Sequence, residues 1–146
     1  MPTNQTTIHT KRILMVDDDD MMRILFRETF WIHSRKDLMI EVQTVRTIQE
    51  AREYVTEHHE HLDVLFLGLW LPVEQSDGSA VRETLPSLEF IKELRKKEDF
   101  KDLTIVVYSR FSEEEFKKSA CEAGADHYLV KGEITPHEMV QFVERL

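Results

Sequence analysis

The sequence predicts an α/β domain: a doubly wound, five-stranded parallel sheet with helices on both faces. Two observations predict it. Segments of strand and helix character alternate five times along the 146 residues, the pattern of repeated strand–helix crossovers. Several of the strand segments are short, almost unbroken apolar runs, as expected of strands buried on both faces. The longest such run is Val64–Pro72, interrupted only by Gly68. It is too short to cross a bilayer, and Pro72, lacking an N–H, is expected to stop its ladder.

The elements follow in order. Residues 1–10 show no periodicity and read as a disordered tail, leaving 11–146 as a single domain. Ile13–Val16 is a buried strand. Asp17, Asp18, Asp19 and Asp20 follow directly, and Asp19 or Asp20 is placed to cap the next helix. That helix carries Met22, Leu25, Phe26 and Phe30 at helical spacing, with core packing the default for Phe30 and Trp31. Ile40–Val45 is a partly alternating strand nearer an edge. Thr47-x-x-Glu50 is a capping box, and the helix it opens shows Ile48, Ala51, Tyr54 and Val55 on one face. Val64–Leu67 is the third strand. Val73–Pro86 reads as irregular, with turn chemistry at Ser76-Asp77-Gly78-Ser79, and its length marks it for a special role. A helix resumes near Ser87 and ends in Arg95-Lys96-Lys97, which suits the negative end of its dipole. Leu103–Tyr108 is the fourth strand. Ser112-x-x-Glu115 and Gly124 bracket the next helix, in which Cys121 reads as a small buried residue. His127–Val130 is the fifth strand, and Thr135-Pro136-His137-Glu138 opens the last helix.

Composition excludes several classes of function. A net charge of −9 repels nucleic-acid backbones and anionic lipid. The single Cys121 rules out an internal disulfide and a cysteine zinc site. The polar N-terminus is not a signal peptide, and no apolar run reaches the roughly 20 residues of a membrane span. These features predict a cytoplasmic protein. His58, His59, His61 and Asp63 invite a metal reading, but histidine at a helix C-terminus is favoured by the dipole alone.

In a doubly wound sheet, ligands gather beyond the carboxyl ends of the strands. Those ends supply Asp17 and Asp18, Ser109, and Lys131. Two adjacent carboxylates form a hard-oxygen site for Mg²⁺. A hydroxyl and an ammonium opposite them suit phosphoryl oxygens.

On these residues the chain resembles the response-regulator receiver domains, CheY-like modules of two-component phosphorelay signalling. The resemblance rests on ILMVDDD at 13–19, LWLP at 69–72, VVYS at 106–109 and AGADHYLVK at 123–131. It implies a flavodoxin-like sheet of strand order 2-1-3-4-5 and a signalling module rather than an enzyme. It implies Mg²⁺ on Asp17 and Asp18, a phosphoryl site at Ser109 and Lys131, and a switch aromatic at Tyr128. It also places the phosphoacceptor aspartate four residues before the strand-ending proline, where this chain has Gly68. Glycine offers no nucleophile and no metal ligand, so acyl-phosphate formation is not expected and Mg²⁺ affinity should fall. Other departures from the family pattern surround the site. Arg110 stands where a small residue is usual and is placed to pair with Asp17 or Asp18. Gly132 replaces a proline, and the loop after the third strand is long.

The function expected is that of a degenerate receiver acting through protein contacts. Its partners would be a sensor kinase or a downstream output protein. Its surface, including any homodimer interface, would be 112–146. The alternative is a phosphotransfer module using Asp17, Asp18 or a loop carboxylate, Asp77 or Glu74, as acceptor. A weaker reading is a small-molecule binder using the emptied pocket.

Overall fold

The computed structural model describes residues 9–33 and 37–146. Its parallel sheet comprises β1 (His9–Val16), β2 (Leu38–Val45), β3 (Val64–Leu67), and two further strands, Thr104–Ser109 and His127–Val130. Between β3 and these lies a short hairpin, β4 (Leu71–Glu74) and β5 (Ala80–Glu83), so the last two sheet strands are β6 and β7. The sheet order is β2-β1-β3-β6-β7, with every pairing parallel. This is the predicted doubly wound order.

The helices divide between two cores. On one face α2 (Ile48–His58), α3 (Leu85–Arg95) and α4 (Glu114–Ala123) cover Leu14, Val16, Leu65, Leu67, Ile105 and Val107. On the other, α1 (Asp20–Ile32) and α5 (Pro136–Glu144) cover Ile13, Met15, Val64, Phe66, Val106 and Tyr108. Alternate residues of each central strand serve opposite cores, which is why these strands are apolar throughout. Phe26 anchors the second core by edge-to-face contacts with Phe30 and Phe66.

Helix starts mostly follow the sequence signals. Asp19 caps α1, accepting from the Met21 and Met22 amides. Thr47 caps α2 by accepting from Glu50 N, while the Glu50 carboxylate reaches the Arg46 amide. Thr135 and Glu138 form a complete capping box. Gly124 closes α4 at φ +120, a conformation that favours glycine.

Several expectations are corrected. His9 and Thr10, expected in the tail, belong to β1, paired with Leu38 and Met39; the rest of the expected tail, residues 1–8, lies outside the described residues. Ser112 is not the cap of α4, whose N-cap is Glu113 without a side-chain bond. The Phe111 amide is held by Ser109 Oγ and its carbonyl by the Tyr128 hydroxyl, which keeps the chain extended through Glu113. Cys121 is exposed, because α4 turns Ala120 and Ala123 inward. Trp31 is 82% exposed although its neighbour Phe30 is buried. Pro72 does not end the β3 ladder, which stops at Leu67; Pro72 stands opposite Arg82 in the hairpin. The segment expected to be irregular is that hairpin, turned by Asp77 Oδ1 accepting from the Ser79 amide and hydroxyl.

Candidate functional site

Strands β1, β3 and β7 are each extended by one residue past their last ladder pair, while Ser109 stands in the last pair of β6, and these residues build the site. The Asp17 amide donates to Val45 O, the Gly68 amide to Val16 O, and the Lys131 amide to Ser109 O at 2.8–3.1 Å. Asp17, Asp18, Gly68, Ser109 and Lys131 thereby come together around one crevice of about 740 Å³, which Trp70, Phe111 and Phe116 also line. Asp17, Asp18, Ser109 and Lys131 are therefore neighbours in space, while Tyr128 is not among the residues lining the crevice.

Asp17 is 3% exposed. Its Oδ2 lies 2.5 Å from Lys131 Nζ, and its Oδ1 accepts from the Asp19 amide at 2.9 Å. The Lys131 ammonium also lies over the Tyr108 ring, 5.7 Å from its centre. Asp18 forms a charge-assisted hydrogen bond with the Arg82 guanidinium. Burial raises the Asp18 carboxyl, but the Arg82 hydrogen bond and charge outweigh it and hold the group below its ordinary value of 3.8. Arg82 also donates to Trp70 O at 3.2 Å, so one side chain ties the end of β1 to the start of the hairpin.

Arg110 lines the crevice but does not make the expected pair with Asp17 or Asp18. Its guanidinium lies 3.8 Å from Asp19 with its side chain 75% exposed, while Asp17 and Asp18 are held by Lys131 and Arg82. Arg82 was not legible as a site residue. It sits on a strand whose four residues are all exposed, and only the hairpin register aims it inward.

Gly68 is fixed on both sides, its carbonyl accepting from the buried Ser87 hydroxyl at 2.8 Å. A β-carbon at this position would lie 3.1 Å from Leu71 Cδ2 and 3.2 Å from Val16 O. Leu71, the first residue of β4, is only 2% exposed and packs in the core. The missing side chain at 68 and the rooting of the hairpin therefore share one space.

Tyr128 is turned inward, and its hydroxyl donates to Phe111 O at 2.7 Å. Burial raises its phenol above the usual range, partly opposed by a hydrogen bond with Ser109. Gly132 has φ +90. Asp77 closes the hairpin turn and Glu74 ends β4, and neither lines the crevice.

The histidine group is dispersed in role. His58 Nδ1 is 2.9 Å from Tyr54 O, His59 Nε2 is 4.0 Å from Asp99, and Asp63 accepts from the Arg12 amide. Among the described residues, no group of three or more His, Cys, Asp or Glu side chains is arranged to hold a metal. At the crevice, Asp17 and Asp18 each already hold a cationic side chain, so their arrangement does not fit a divalent ion. Among the described residues no helix is long and apolar enough to cross a membrane.

The family profile of the response regulator receiver domain matches residues 13–144, and the chain belongs to that family. Members of the family are signalling modules of two-component systems that work with sensor kinases and output domains, and they are not catalytic enzymes. They typically bind Mg²⁺ at the receiver active site. The fold matches solved receivers. The chemotaxis response regulator CheY4 of Vibrio cholerae has a TM-score of 0.72 at 22% identity, covering 93% of this chain and 98% of that one. A response regulator from Thermotoga maritima has a TM-score of 0.71 at 18% identity, covering 93% and 96%. A LuxR-family two-component response regulator from Aurantimonas sp. SI85-9A1 is 25% identical with a TM-score of 0.68, covering 93% and 84%. No curated protein matches the sequence.

Proposed function

We propose that this chain is a degenerate receiver, which takes part in two-component signalling by protein contact and without phosphorylation of an aspartate. The observation that carries the reading is Gly68 at the carboxyl end of β3, facing Asp17, Ser109 and Lys131 across the crevice. The acceptor carboxylate belongs there by the family pattern. Glycine supplies no oxygen to attack a phosphorus centre, and Leu71 takes the space beside it. Asp17 and Asp18 are poor substitutes, since each is neutralised by a hydrogen-bonded cation.

Ser109 and Lys131 are read as the remnant of the phosphoryl site and Tyr128 as the switch aromatic. With Lys131 bound to Asp17 and Tyr128 bound to Phe111 O, both sit in one settled arrangement. A phosphoryl group that cannot bind covalently supplies no differential free energy to move them. Regulation then comes from the partner, a sensor kinase or output protein in the cytoplasm, through the 112–146 surface. The same surface would serve any homodimer.

The test is an amide NMR spectrum recorded before and after adding a small acyl phosphate with Mg²⁺. The expected spectrum is unchanged. A second set of resonances for Ser109, Tyr128 and Lys131 that disappears as the donor is exhausted would overturn the proposal.

A further inference from the structure

The hairpin at 71–83 does more than lengthen a loop. Three of its contacts act together. Leu71 roots it in the core beside Gly68. The four-residue antiparallel ladder sets Arg82 opposite Pro72. Arg82 then reaches back across the crevice to Asp18 and to Trp70 O. On the other side Lys131 holds Asp17. Two carboxylates that would otherwise repel each other and attract a free cation are thus each paired with a cation belonging to the chain.

We infer that the hairpin is a strap whose Arg82 guanidinium, together with the Lys131 ammonium, takes the place of the divalent cation, so that this receiver is closed and metal-independent. The inference rests on reading Asp17 and Asp18 as the family's cation-binding pair, and does not depend on whether the chain accepts phosphate. It follows from charge and space. A hard dication needs carboxylate oxygens free to face it, and it dehydrates only for strong ligands. Here Asp18 Oδ2 is covered by a planar donor that also bonds a backbone carbonyl, and the Asp17 oxygens face Lys131 Nζ and the Asp19 amide. Freeing a site for the ion requires lifting Arg82. Arg82 is half exposed and carried on an exposed strand, so its removal opens the crevice without a hole in the core.

Mn²⁺ titration of the whole chain, followed by the loss of free-ion electron paramagnetic resonance signal, tests this without any phosphodonor. The wild type is expected to show no saturable binding up to millimolar Mn²⁺. Arg82→Gln is expected to bind one ion at least tenfold more tightly, and Arg82→Gln/Asp18→Asn to lose that gain. Equal binding by wild type and Arg82→Gln, or by the single and double variants, overturns the inference. Hydrogen exchange of the wild type covers the case in which Arg82→Gln does not fold. The Val73 and Val81 amides should exchange at the same rate in 10-fold excess Mg²⁺ as in chelator, and faster exchange in Mg²⁺ would show the ion displacing the strap. Because phosphoryl acceptance is measured separately, a failure here leaves the degenerate-receiver reading standing, and the reverse holds too.

Discussion

Replacing Gly68 by Ala adds one methyl group at the point where strand end and hairpin root meet. The new carbon would sit 3.1 Å from Leu71 Cδ2 and 3.2 Å from Val16 O. Leu71 is a core side chain with little room, and Val16 O is a backbone atom already accepting from the Gly68 amide. Overpacking of this kind costs about 1–3 kcal/mol. The backbone at 68 is not in the left-handed region, so alanine also restricts the unfolded chain and returns about 0.4–1 kcal/mol. Because one of the two contacts is with a backbone oxygen, the crowding falls in the upper part of its range and wins, and the net loss is about 1–2.5 kcal/mol, or roughly 2–10 °C in melting temperature for a domain of this size. Thermal melts followed by circular dichroism read this directly. Leu71→Ala alone leaves a cavity and costs about 2–5 kcal/mol. The double variant should cost less than the sum by about 1 kcal/mol, because the smaller side chain relieves the clash. Unchanged stability in Gly68→Ala, or strict additivity in the double variant, would refute the argument that Gly68 and Leu71 share one space. A restored acceptor, Gly68→Asp, meets the same obstacle and is expected to melt below Gly68→Ala.

Other perturbations follow from the same contacts. Lys131→Met leaves the buried Asp17 carboxylate without its ammonium and should cost about 3 kcal/mol in urea denaturation, whereas a loss under about 1 kcal/mol would mean the pair is solvated. The folded Asp18 carboxyl lies below its ordinary value, so its stabilisation is present above about pH 4 and is lost as pH falls through the lower folded value. The melting-temperature gap between wild type and Arg82→Gln should therefore hold from neutral pH to about pH 4 and narrow below it, and a gap that closes near pH 6 would contradict this. Thr135→Ala removes the capping box of α5 and should cost about 1 kcal/mol, with fraying of α5 seen by hydrogen exchange. Equal protection of α5 in both forms would show that its packing through Met139, Val140 and Val143 is sufficient.

The sheet was legible because its central strands are buried on both faces, which leaves apolar runs at Ile13–Val16, Val64–Leu67 and Leu103–Tyr108 that no surface element would carry. The crevice residues were legible for a related reason: Asp17 and Lys131 directly follow a strand and Ser109 ends one, so topology alone brings them together. The hairpin was not legible. β5 has no buried residue and β4 contains Pro72, so neither shows alternation. Arg82 was hidden with them, since its direction depends on register rather than on periodicity. Arg95 shows the same limit. Its place at a helix end pointed to the dipole, yet it also donates to the carbonyls of Gly124, Phe100 and Leu103 and pairs with Asp126, stapling two connections, α3 to β6 and α4 to β7, at the far end of the sheet. Such long-range roles carry no local sequence signal.

The most direct test of a receiver without an acceptor is intact mass. The whole chain is incubated with a small acyl phosphate and Mg²⁺ beside a receiver that accepts phosphate, and both are measured while donor remains. The account predicts the unmodified mass for this chain and a gain of one phosphoryl group in the control. A stoichiometric phosphoryl gain on this chain would contradict it.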